Sequence, residues 1–270
     1  MTDQAQSKAQ RLDYGKTLLI GFGFFGISVM WTLYNAYVPI FLQAGNPQFD
    51  AAGEVGFGLR AGLTGVIMTL DNVAAFFLIP IIGMWSDRVW TRFGRRKPFI
   101  LVLAPISIVA FVLIPMAVGT IPPSQSGQTA ELSSSLAFFM AAIGVFLTAM
   151  AAFRTPVIAL MPDLTPSPLR SQANGVINLM GGIGTLTATL GSSFLYRQGR
   201  MVPFAFGGLL MALAVLMLFV FVREERDFEE VEREGGLGAL AGLKRVSTDA
   251  RRSLFFLMGA IFCWFVGYNA

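Results

Sequence analysis

The 270-residue sequence contains no histidine and one cysteine, Cys263. The first absence removes a Ser-His-Asp triad and histidine-based zinc sites. The second removes an intramolecular disulfide and any cysteine pair for a metal. No activated nucleophile, metal cluster or carboxylate pair stands out, so an enzyme is the least supported class. Charge is scarce as well: Asp, Glu, Lys and Arg make up 13% of the residues, against 54% apolar side chains. A soluble domain carries about 25% charged residues, and here long stretches carry none. An all-α integral membrane protein is what remains. The net charge of +4, from 20 basic and 16 acidic residues, fits positive loops beside a lipid bilayer and not a nucleic-acid groove.

A bilayer core of roughly 30 Å takes about 20 apolar residues in a helix. Six stretches reach that length: 17–42, 61–85 with Asp71 inside it, 98–121, a span within 132–160 that holds Arg154, 174–196 and 201–222. A seventh begins at Ser253 and is still running at Ala270. The expected layout is a cytoplasmic tail over 1–16, a six-span bundle over 17–222, a cytoplasmic linker over 223–252 and the beginning of a seventh span over 253–270. The tail lacks an apolar h-region, and the first span is too long for a signal peptide. Lys and Arg on alternate sides number sixteen against three, with Arg154 inside a span. By the positive-inside rule the N-terminus, the loop around Gly94 and the linker are cytoplasmic in a multi-pass protein of the cell membrane.

Two short stretches repeat. The first span carries Trp31, Tyr34, Asn35 and Ala36, and the seventh carries Trp264, Tyr268, Asn269 and Ala270 at nearly the same spacing. Six spans, a linker and a return of the first span form the layout of a two-halved transporter, so a C-terminal six-span half is expected as partner within a longer protein. Residues Gly21 to Gly26 match the dinucleotide fingerprint letter for letter. That fingerprint needs a strand before it and an exposed helix start. Inside an uncharged span, the glycines are expected to let helices approach closely.

The loop after the second span reads GMWSDRVWTRFGRRKPFI from Gly83 to Ile100. Gly83, Asp87 and Arg88, followed by Gly94, Arg95, Arg96 and Lys97, resemble the signature loop of the major facilitator superfamily. The longer form, with Ser86, Arg92, Phe93, Pro98, Phe99 and Ile100, resembles plant sucrose transporters and related animal sugar carriers. A second block from Phe153 to Gly175, with Pro156, Asp163, Arg170 and Asn174, is similar to the junction of the fourth and fifth spans in those carriers. The match fails at Arg154, because those carriers place their basic residue where this chain has Ile158. The resemblance implies the six-helix N-terminal bundle of a major facilitator fold and proton-coupled symport of a sucrose- or maltose-like sugar. Melibiose-type cation symporters carry paired aspartates in the second span; Asp71 stands alone here, which disfavours sodium. No cofactor beyond the proton and no metal is expected.

An ionisable residue inside a span is functional by default. With no histidine, Asp71 is the best proton carrier in this half, since desolvation raises a carboxyl pKa and hydration lowers it again. Counted from their helix ends at 1.5 Å per residue, Asp71 and Arg154 lie at different depths and are not expected to pair tightly. Sugar recognition needs flat aromatic faces and hydrogen-bonding groups. Trp31, Tyr34 and Asn35 offer both on the first span, Arg154 adds a donor on the fourth, and Asn174 and Asn178 form a polar stripe on the fifth. Gly83, Asp87, Arg88, Gly94, Arg95, Arg96, Asp163 and Arg170 are expected to build a cytoplasmic gate of ion pairs and helix-end charges. A carrier of another small polar solute, and a non-transporting scaffold or receptor, remain open alternatives.

Overall fold

The computed structural model describes residues 12–49, 53–224, 252–253, 255–257 and 259–260. The chain divides into two units, Met1–Phe228 and Glu229–Ala270. The first holds seven helices among the described residues: α1 (Tyr14–Gln43), α2 (Ala61–Met68), α3 (Leu70–Arg88), α4 (Lys97–Gly119), α5 (Ser133–Leu164), α6 (Arg170–Leu195) and α7 (Met201–Phe221). No strand occurs among the described residues; Thr91 and Gly94 form one isolated antiparallel bridge. In the second unit, the described residues from 252 to 260 are helical, and the Arg252 guanidinium lies 5.7 Å from the Phe256 ring centroid. Residues 225–251 of the expected linker and the repeat at Trp264 to Ala270 lie outside the described residues.

Local chemistry sets the helix ends. Asp13 caps α1, its Oδ1 accepting the Lys16 N–H at 3.0 Å, and so takes up one of the N–H groups that a helix start leaves unpaired. Pro98 stands in the first turn of α4, where its missing N–H costs nothing. The second span corrects the sequence expectation. It is two helices, α2 and α3, broken at Thr69. The Thr69 N–H reaches the carbonyls of Gly65 and Val66 at 3.1 and 3.2 Å, and its Oγ1 donates to Val66 O at 2.8 Å. A hydroxyl that bonds back to its own turn competes with the helix ladder, and Gly62 and Gly65 lower the propensity before it.

Among the described residues, four helices, α1, α4, α5 and α7, are each long and apolar enough to cross a membrane by length and composition. The break leaves α2 with eight residues, α3 carries Asp71, Asp87 and Arg88 near its ends, and α6 is diluted by Asn, Ser, Thr and Gly. Around the bundle the order is α3, α5, α4, α7, α1, α6, with α1 also touching α5 across the middle. The chain of helices is thus an arc whose two ends are α3 and α6. Its core is aromatic and aliphatic: the Phe111 ring lies 5.1 Å from Phe146 and 4.6 Å from Phe204, all fully buried. The glycines of the dinucleotide-like stretch serve close packing. Gly21 faces Met180 of α6, Gly23 faces Val157 of α5, and Gly26 faces Met211 of α7.

At the end opposite the Gly94 loop, residues 53–60 fold back over α1. The N–H groups of Phe57, Leu59 and Gly58 donate to Phe41, Leu42 and Ala44 carbonyls at 3.0, 2.7 and 2.8 Å, satisfying acceptors that the end of α1 would otherwise leave open. Gly127 N–H donates to Gly56 O at 3.1 Å, and Thr129 Oγ1 donates to Phe57 O at 2.7 Å. Gly58 has φ +67°, and a Cβ there would sit 2.6 Å from Gly127 Cα, so only glycine fits.

Candidate functional site

The first set of site residues lies on the open face between α1, α5 and α6. On α1, Gly21 and Phe25 turn toward α6 while Tyr34 and Gly23 turn toward α5. At about 100° per residue, Phe24, Trp31 and Asn35 fall on the sector between those two neighbours. Asn35 is exposed and Trp31 half-buried. The Trp31 indole N–H is buried and meets no hydrogen-bond acceptor among the described residues. Tyr34 is fully buried, edge-on to Trp31 at 5.5 Å and 5.4 Å from Phe146. It supports the indole from behind.

On α5, Val157 touches α1 and Thr155 faces Gly83 of α3. Arg154 projects between these two contacts, is exposed, and forms no ion pair among the described residues. On α6, Asn174, Asn178, Thr185 and Thr189 form an exposed stripe of small and polar residues, flanked by exposed Leu179, Ile183, Leu186 and Leu190. The opposite face of α6, from Ala173 to Ala188, is buried.

Packing register separates these groups by depth. Gly21 lies beside Met180, and Phe25 beside Gly184, so Asn178 sits roughly 18 Å below Trp31 along the bundle. The two asparagines and the Trp31–Asn35 pair therefore do not form one pocket within this half. Gly83 beside Thr155 likewise puts the Asp71 backbone about 16 Å from the level of Arg154. Asp71 stands in the first turn of α3, two residues past the break at Thr69; its side chain lies outside the described residues.

The second set lies at the end carrying the α3–α4 loop, and here the residues converge on Arg96. This guanidinium is 1% exposed, donates through Nε to Asp163 at 2.9 Å, and bonds Asp87 and the Ser86 hydroxyl. Arg95 adds a second ion pair to Asp163 at 3.3 Å. A charge buried this deeply is stable only with partners on several sides. Gly94, at φ +107°, turns the chain so that both arginines point inward. Among the described residues, Arg170 donates to the carbonyls of Pro162 and Thr165 at 3.0 and 3.3 Å, closing the end of α5. Gly83 contributes its carbonyl to Ser86 Oγ at 3.1 Å. Arg88 is exposed and forms no ion pair among the described residues, whereas Arg96 joins Asp87 and Asp163.

Sequence reasoning missed Glu224. Its carboxylate accepts the N–H groups of Arg95, Arg96 and Lys97 at 2.7, 3.1 and 3.0 Å, capping α4 with a charge-assisted bond set. Lys97 Nζ donates to Phe219 O at 3.0 Å and lies 5.3 Å from the Phe219 ring. At the far end of the bundle Glu54 pairs with Arg200 at 3.0 Å, and Tyr196 stacks on Tyr37 at 4.6 Å. Burial first, and the Glu54 carboxylate second, push the Tyr196 phenol above its ordinary pKa.

Comparison with known proteins agrees with this architecture. The chain is 36% identical over 91 residues to the human proton-associated sugar transporter A, covering 33% of this chain and 10% of that protein. It is 25% identical over 210 residues to a sucrose transport protein of Arabidopsis thaliana, covering 73% of this chain and 33% of the relative. It is 26% identical over 219 residues to a general alpha-glucoside permease of Schizosaccharomyces pombe, covering 77% and 37%. The chain thus spans between a tenth and two fifths of the length of these curated relatives. A family model matches residues 18–270: the chain belongs to the Major Facilitator Superfamily.

Proposed function

We propose that this chain acts in a secondary active transporter that moves a sucrose- or maltose-like glycoside together with a proton by alternating access. The six-span unit rocks against a second, C-terminal six-span half, for which α3 and α6 at the ends of the arc supply the contact surface. The N-terminus lies in the cytoplasm and the Arg96 end faces inward. Arg154 carries this reading: it is a cation at membrane depth, exposed on the open face, with no carboxylate partner among the described residues. Such a group calls for water or a polar solute. The Trp31 indole N–H lies on the same open side and offers a second donor over a flat apolar ring. Relatives named as sugar transporters support the substrate class, and Asp71, the lone carboxylate of its span, is assigned the proton.

The test is uptake of labelled sucrose and maltose into proteoliposomes containing the full-length protein. Losing a charge-assisted hydrogen bond costs about 1.5–3 kcal/mol, so Arg154→Gln is expected to lower uptake by roughly ten- to a hundredfold. Arg154→Lys retains the charge and is expected to keep part of it. Uptake in Arg154→Gln equal to that of the native protein would move recognition away from this face. Binding without any flux, in the native protein, would favour a receptor.

A further inference from the structure

We propose that the end of the bundle carrying the α3–α4 loop holds anionic phospholipids of the adjoining leaflet, their phosphate groups on Arg92 and Arg223. This site lies at the outer edge of the α4–α7 pair, away from the open face between α1, α5 and α6. It requires a membrane-embedded bundle and does not depend on which solute is carried.

The charge distribution at this end comes first. Of the four described carboxylates at this end, three are taken up by groups of the protein itself: Asp87 and Asp163 by Arg96, with Arg95 also on Asp163, and Glu224 by three backbone N–H groups, while Asp13 is exposed at the start of α1. Arg92 and Arg223 are exposed and have no carboxylate partner among the described residues. Among the described residues, these two guanidiniums stand exposed, as does that of Arg88, and are open to an anion from outside. Guanidinium is the side chain best shaped to bind phosphate oxygens in pairs.

Depth identifies the source of the phosphate. Trp85, Trp90 and Phe93 are 57%, 41% and 39% exposed. Large aromatic rings standing out at one level of a membrane bundle mark the headgroup zone. About one and two turns further in, Val220 and Leu216 are exposed apolar side chains on the side of α7 that carries Arg223, a surface for acyl chains. A free phosphate ion would use only the first of these features, whereas a phospholipid uses both.

The arginine is also held in place. The Arg92 guanidinium lies 4.5 Å from the Phe93 ring centroid, Phe93 meets Phe219 edge-on at 5.5 Å, and Lys97 lies against Phe219 from α4. Cation–π stacking orders Arg92 before any lipid arrives, which lowers the entropy lost on binding. Arg223 follows Phe219 by four residues.

The experiment measures lipid retention by native mass spectrometry of the full-length protein, titrated in detergent with phosphatidylglycerol or phosphatidylcholine. The native protein is expected to retain phosphatidylglycerol over phosphatidylcholine by about tenfold or more, as two basic groups near a membrane surface allow. In R92Q/R223Q that preference is expected to disappear, and in R92K/R223K to persist in part. The native preference should also fall between low and high salt, a readout that needs no variant. Equal retention of both lipids by the native protein, or an unchanged preference in a folded R92Q/R223Q, would overturn the proposal. So would displacement of the lipid by soluble glycerophosphoglycerol at equal concentration, since that would make the ligand a free anion.

Discussion

Glu224 accepts the backbone N–H of Arg95 at 2.7 Å although 129 positions separate them. The contact ties the segment after α7 to the loop before α4, and the same carboxylate also takes the N–H groups of Arg96 and Lys97. Removing a capping side chain costs about 1–2 kcal/mol, so Glu224→Ala is expected to lower the thermal midpoint in detergent by a few degrees. Gly94→Ala should cost more, because a Cβ there would lie 2.6 Å from the Glu224 carboxyl carbon at a φ of +107°. A double-mutant cycle of the two is expected to be non-additive by about 1 kcal/mol. Simple additivity would show that Gly94 is needed only for its own backbone.

Asp163→Ala should be more damaging still. The aspartate is 10% exposed and Arg96 1%, so the substitution strands part of a buried charge. The expected loss is about 3–5 kcal/mol, read as a drop in thermal midpoint. Arg88→Ala, at an exposed position outside the network, is expected to cost less than about 0.5 kcal/mol. Asp87→Asn should leave the fold intact and increase labelling of cysteines placed at the Arg96 end. Unchanged labelling would reduce the loop to a topology anchor.

The coupling assignment rests on Asp71. Asp71→Asn imitates the permanently protonated carboxyl, so accumulation driven by a pH gradient should vanish while exchange of labelled for unlabelled sugar persists. Both are measured in the same proteoliposomes with the full-length protein. A pKa change of about two units corresponds to roughly 2.7 kcal/mol, enough to link occupancy to a gradient. Persistent accumulation in the Asn variant would move the proton site to the other half.

Tyr196 gives a pH signature at the far end. Its phenol is raised above the ordinary 10.0, by burial and then by Glu54, so the folded protein keeps this proton longer than the unfolded chain does. The unfolded state loses the proton first, and stability therefore declines with rising pH. The contribution is complete below about pH 10 and is lost as pH climbs beyond it. Tyr196→Phe should flatten that part of the alkaline decline in a thermal-shift series. An identical slope in both proteins would exclude Tyr196 as its source.

The sequence made the helices of the bundle legible because uncharged apolar runs leave a bilayer-spanning chain few alternatives. It did not reveal the break at Thr69, since a threonine that bonds its own turn looks like any other threonine in an apolar run. In the charged end, Asp87, Arg96 and Asp163 could be named from the loop and the second block. That they group around Arg96 while Arg88 stays exposed depends on which side of Gly94 turns inward, a backbone property with no local composition signal. Glu224 was hidden for another reason. It opens a run of mixed charge that reads as solvated, and the helix it caps begins 127 residues earlier. On the open face, Asn174 and Asn178 are exposed, and the depth gap between Asn178 and Trp31 emerges only from the α1–α6 register.

The strap over 53–60 joins the end of α1 to the turn between α4 and α5 through backbone bonds and an approach that admits only glycine at position 58. The end of α1 and the connection between α4 and α5 are thereby tied into one rim. A body with such a rim transmits rotation without bending at that edge, so a tilt begun at the opposite end arrives there at full angle, as along a lever. The strap leads directly into the interrupted second span, so the most tightly tied backbone of the unit and its one broken span are neighbours in sequence.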